Sequence, residues 1–110
     1  MQVDNGIVIF DTIGTDEVLF ANWLRANPDG YVANIGRGAN KYSPVKLHQA
    51  TCEFMISEKV AKGGFVGTDF YKVCSLDGQA LVAWTQNGYQ LRQWGEPSDD
   101  KRFCHPALLP

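Results

Sequence analysis

Apolar residues recur along this chain with two periods, and the switch between them outlines its elements. GIVIFD (6–11) is a β-branched run and predicts a strand. From Thr15 the period lengthens. Thr15 has the chemistry of an N-cap, and Asp16 and Glu17 follow in the first turn, where a helix dipole favours acids. Leu19, Phe20, Trp23 and Leu24 form the stripe that such a helix would bury. NPDG (27–30) ends it, because Pro28 disfavours a helical Asn27 and Asp29-Gly30 suits a turn. YVANI (31–35) returns to strand spacing, so the first half reads strand, helix, turn, strand.

The second half repeats that grammar with different residues. Glycine-rich KGGFVG (62–67) precedes FYKVCS (70–75), which predicts a strand. SLDGQALVAWTQNG (75–88) predicts a helix capped by Ser75 or Asp77, with Leu81 and Trp84 inward and Asn87-Gly88 as its stop. YQLRQW (89–94) alternates as an edge strand would, and residues 95–110 read as a charged loop and tail. The expected fold is α+β over a single domain, 1–110: a single-layer, mostly antiparallel sheet of four to six strands packed against two helices.

The stretch VKLHQATC (45–52) breaks the pattern. Val45 and Leu47 alternate with Lys46 and His48 as in a half-buried strand, but Ala50, Cys52, Phe54 and Ile56 then put the apolar side in the opposite phase. A bulge or a short helical turn near Gln49–Glu53 resolves the conflict. The choice decides whether His48 and Cys52 can meet. On a helix they would lie about 6 Å apart on one face, and on a strand roughly 13 Å apart. Both geometries stay open.

Composition narrows the function. The chain has 110 residues, a hydrophobic fraction of 45 %, and three Trp, four Tyr and six Phe, which suits a packed globule. Ten bases against twelve acids leave a net charge of −2, so no global basic field draws it to nucleic acid or to a membrane. The opening residues do not read as a signal peptide, and no apolar run has the length of a membrane span. Three cysteines, Cys52, Cys74 and Cys104, are an odd number and read as free thiols of a cytoplasmic protein.

NPDGYVANIGRG, VKLHQATC and YKVCSLDGQALVAW together resemble a pattern of uncharacterised bacterial domains, some beside restriction-type or HNH nuclease modules. There the elements read HPDGFVLN, LHRAxC, a KVC strand followed by a tryptophan-bearing helix, and CGxCxP. The resemblance covers roughly residues 20–106. It departs at the end, where KRFCHP keeps Cys104 and Pro106 but has Lys101 in place of the first cysteine. It implies an accessory domain of mobile or defence genes rather than a known reaction.

Three chemistries have candidate residues. His48, Cys52, Cys104 and His105, with Cys74 as a further thiol, are the ligand types of tetrahedral zinc, but the chain lacks two close ligand pairs such as CxxC. Small buried cysteines and a polar tail histidine explain the same residues without metal. Catalysis finds nucleophiles (Ser43, Cys52, Cys74) and a base (His48), yet no spacing assembles a triad or a GxSxG elbow.

The third chemistry is anion binding. No acid stands between Asp29 and Glu53, whereas Arg37, Lys41, Lys46 and His48 do, with Tyr42 among them. GRGANKY (36–42) is glycine-rich, so its amides can approach a phosphate, although it is no Walker loop. Lys46 and His48 should then face solvent on the side of their strand opposite Val45 and Leu47. The expected role is a non-catalytic binding or accessory protein holding nucleic acid or another polyanion through Arg37, Lys41, Tyr42, Lys46 and His48. The alternative is a homo-oligomer, with YQLRQW as a dimer edge, binding a small ligand or a protein.

Overall fold

The computed structural model describes residues 1–39, 45–51 and 65–88, with Lys46 and Gly88 described by their backbone alone. Among the described residues the fold is α+β, one open antiparallel sheet of five strands with two helices packed on it. The strands are β1 (Gln2–Asp4), β2 (Ile7–Phe10), β3 (Tyr31–Gly36), β4 (Lys46–Gln49) and β5 (Phe70–Ser75), and the helices are α1 (Thr15–Ala26) and α2 (Gly78–Gly88). The expected edge strand YQLRQW and the tail over 95–110 lie outside the described residues, as do Lys41, Tyr42, Cys52, Cys104 and His105.

The sheet order is β1-β2-β5-β3-β4, and every pairing is antiparallel. β2 and β3 therefore run parallel to each other with β5 between them, so β2–α1–β3 is a split β-α-β unit completed from the second half of the chain. β1 is an addition to the expected strands. It pairs with β2 through a two-residue turn, Asn5-Gly6, with both residues at positive φ (51° and 81°). An Asn-Gly pair is the strongest short hairpin signal in a sequence, so this element was there to be read.

The two helices do not share a layer. On one face of the sheet Phe10, Val32 and Cys74 pack with Phe20 and Leu24 of α1 and with Phe65 and Val66. On the other, Ile7, Ala33, Ile35, Val45, Leu47 and Val73 pack with Leu81 and Val82 of α2. The strands require this arrangement. Val32-Ala33 and Val73-Cys74 put apolar groups on both sides of the central strands, and a sheet with two apolar faces must be covered twice.

Local details differ from the expectation in two places on α1. Thr15 is the first helical residue, not the cap; Gly14 precedes it and no side chain caps the end. Leu19 is 36 % exposed, because the buried stripe runs Asp16, Phe20, Leu24, with Trp23 half-buried beside it. At α2 the open choice of cap settles on Asp77, whose Oδ1 accepts the N–H groups of Gln79 and Ala80, while Ser75 Oγ accepts the Asp77 N–H. Leu81 is buried as expected, and Trp84 packs half-buried against the same core.

Candidate functional site

The residues selected from sequence do not form one exposed basic face among the described residues. His48 is the clearest correction. Strand alternation puts it in solvent, and it is 2 % exposed. Alternation on β4 does place His48 opposite Leu47, but the second face of this sheet is also covered, so leaving the α2 core does not mean reaching water. His48 lies in extended β4, and the chain turns at Ala50–Thr51. Its backbone pairs with Val32, whose other partner is Cys74. The imidazole and that thiol therefore stand two strands apart, about 10 Å, too far to share an ion. Among the described residues no three His, Cys, Asp or Glu side chains gather as a metal site.

Arg37 is exposed, but much of its guanidinium is already engaged. Nε donates to the carbonyl of Gly67 and Nη2 to that of Asp11, both at 2.6 Å, and its own N–H donates to Asp69 at 2.9 Å. The cation lies 5.7 Å from the centre of the Tyr71 ring. Arg37 thus ties the end of β3 to the loops before β5 and after β2. Among the described residues two of its five N–H donors find acceptors, and the side chain is exposed. Next to it, Phe70 pairs with Gly36 and is 47 % exposed. Alternation along β5 puts Phe70 and Tyr71 on opposite faces, so this end of the sheet presents an exposed aromatic on the α1 side and the Arg37 cation against Tyr71.

Sequence reading missed a second group of residues, on the α1 face. Antiparallel pairing puts Phe10, Lys72 and Asn34 in one row across β2, β5 and β3, with the backbone of Lys46 opposite Asn34 on β4. Lys72 is 4 % exposed, and its Nζ donates to Asn34 Oδ1 at 2.5 Å. Burial lowers its pKa to about 8, against the opposing influence of Cys74 and Glu17. The same burial pushes the Cys74 thiol well above its ordinary range. Glu17 is engaged elsewhere. Its carboxylate oxygens accept the N–H groups of Phe65 (2.8 Å) and Val66 (2.6 Å), tying that segment to α1.

Asp16 is the other buried charge on this side. Burial by itself raises a carboxyl pKa, but here the Thr12 N–H, the terminal ammonium of Met1 and the Asp11 N–H outweigh it and hold Asp16 below its ordinary 3.8. The ammonium bridges both oxygens at 2.9 and 3.0 Å. The sequence assigns Asp16 to the helix dipole; it instead anchors the segment that enters the helix.

At the far end of β3, roughly 17 Å from Gly36 by strand rise, Pro28, Asp29, Gly30, Tyr31, Gln49 and Thr51 line an open cleft of about 270 Å³. Its floor is fixed by the Gly30 carbonyl, which accepts the Ala50 N–H at 2.8 Å. Only glycine fits there, since a Cβ at residue 30 would run into the Trp23 ring. The chain matches no protein-family model, no curated protein and no solved structure. Among the described residues no helix is long and apolar enough to cross a membrane.

Proposed function

We propose that the chain is a non-catalytic, cytoplasmic binding or accessory module of mobile-element or defence type, which holds a nucleic-acid strand or similar polyanion at the sheet end built by Gly36, Arg37, Phe70 and Tyr71. The observation that supports this reading is Phe70, a large aromatic left 47 % exposed at the same end of the sheet as the exposed Arg37, whose cation stands over Tyr71. A base can stack on the ring while the remaining guanidinium N–H groups meet a phosphate, the pairing that single-strand binders use without sequence preference. Arg37 is held in place by two carbonyls, so little side-chain freedom is lost when the phosphate arrives.

Fluorescence anisotropy with a labelled single-stranded oligonucleotide across a salt series tests the proposal. Affinity should fall steeply with salt, and Phe70→Ala should weaken it by about tenfold or more, the usual worth of one stacked base. Absence of binding at low salt, or binding indifferent to Phe70→Ala, removes it. A second reading, a small-ligand protein, is favoured by the cleft at Asp29, Tyr31 and Thr51. It predicts ligand-induced shifts at those residues with none at Phe70.

A further inference from the structure

We propose that Lys72 and Asn34 form a binding site for a small oxyanion, a carboxylate or a phosphate group, on the α1 face of the sheet. A protonated lysine carries three N–H donors. Among the described residues Lys72 has one acceptor, Asn34 Oδ1, and it makes no ion pair. Two donors of a side chain that is only 4 % exposed are thus unfilled, an expensive state for an ammonium group.

Among the described residues, the groups that face it do not supply the missing acceptor. Glu17, from α1, is close enough to influence Lys72, but its carboxylate is drawn to the N–H groups of Phe65 and Val66 and makes no hydrogen bond or ion pair with the amine. Cys74, next on the same face of β5, is held as the neutral thiol by its burial. His48, on β4, stands one row further along, across Val32 from Cys74. Phe70 lies two residues from Lys72 on the same face of β5, about 7 Å along the strand, and is 47 % exposed, so the surface begins one side chain away from the amine's row. A two-oxygen anion at Lys72 would take both unfilled donors and neutralise the charge, and charge-assisted bonds of this kind are the strong ones.

This inference does not depend on nucleic-acid binding, since the oxyanion can belong to a strand's phosphate or to a free small molecule. The test is a titration of the full chain with inorganic phosphate and with acetate, followed by NMR at the Asn34 side-chain amide and the Lys72 amine. Saturable shifts at both groups are expected, with affinity falling at least about tenfold in Lys72→Met, the equivalent of one charge-assisted hydrogen bond. Wild-type affinity should also weaken as pH rises through about 8, where the amine loses its proton. That pH series decides the matter even if Lys72→Met fails to fold.

No saturable shift with either anion overturns the proposal, as does binding that survives Lys72→Met or ignores pH. An oligonucleotide that displaces phosphate assigns the site to a nucleic-acid phosphate. Phosphate or acetate binding that an oligonucleotide leaves intact assigns it to a small ligand; that result supports the site and counts against the strand-binding reading. Oligonucleotide binding that needs Phe70 but not Lys72, with no phosphate response, does the reverse.

Discussion

The two faces of the sheet are built from different material. Under α2 the core is aliphatic and aromatic, and its buried polar groups are settled locally: Thr85 donates to the Leu81 carbonyl one turn back, and Ser75 accepts from Asp77 two residues on. Under α1 the core also holds Asp16, His48, Lys72 and Cys74, and the contacts of Asp16, Glu17 and Lys72 reach between elements. The α2 face contributes stability by burial alone. The α1 face gives up part of that contribution to keep charges in place, and buried charges held between elements are where binding and chemistry concentrate.

The largest effect should come from the apolar side. Leu81→Ala removes a fully buried side chain from the α2 face, and urea unfolding should show a loss of about 3 kcal/mol. A loss well under about 1 kcal/mol would mean that this face is not the main source of stability.

Asp16→Asn comes next, at about 2 kcal/mol near neutrality, because it weakens several charge-assisted bonds at once. The sign with pH follows from the lowered pKa. The carboxylate's contribution is full above its unfolded value of 3.8 and fades as pH falls through the lower folded value. Acid titration of stability should therefore be steeper in the wild type than in the variant.

Lys72→Met should move stability in the other direction. Below about pH 8 the native state holds a buried ammonium, which opposes folding; from about 8 to 10.5 the unfolded chain binds the extra proton and stability rises. Cys74 runs opposite, since its raised pKa means that stability falls as pH climbs above the ordinary thiol value of 9.0. From these two groups the wild type should gain stability up to about pH 9, level off to about 10.5 where the two slopes cancel, and then decline, whereas Lys72→Met should gain roughly 1 kcal/mol near neutrality and show only a decline above 9.0. A variant less stable than wild type near neutrality would mark Lys72 as a structural partner instead. The smallest effect is expected from Phe70→Ala, within about 0.5 kcal/mol, because the ring is half in water. A larger loss would show that the ring belongs to the core, and stacking would lose its platform.

β2, β3, β5 and both helices were legible because each rests on local periodicity, turn residues and caps. The site was much less so. Reading His48 as exposed assumes a sheet with one wet face, and nothing local in VKLHQ reports that a second layer covers the other side. Lys72 looks like an ordinary polar position of FYKVCS for the same reason. Arg37 stands out by its charge, but its anchors, Asp11 and Gly67, lie 26 and 30 residues away, beyond any spacing rule. Pairing partners at such range are set by the sheet order, and the order depends on where β5 inserts.

That insertion also fixes the schedule of folding. While the ribosome has delivered only the first half of the chain, β2 and β3 flank a vacant lane with unpaired N–H and C=O groups on both inner edges, and they cannot close on each other without abandoning their register with β5. The lane fills only when residues 70–75 emerge, so the nucleus must join segments some sixty residues apart, a high contact order that slows folding. The nascent protein is therefore expected to spend its synthesis time as an open sticky edge, a natural client for chaperones, and to refold from denaturant in milliseconds to seconds rather than microseconds.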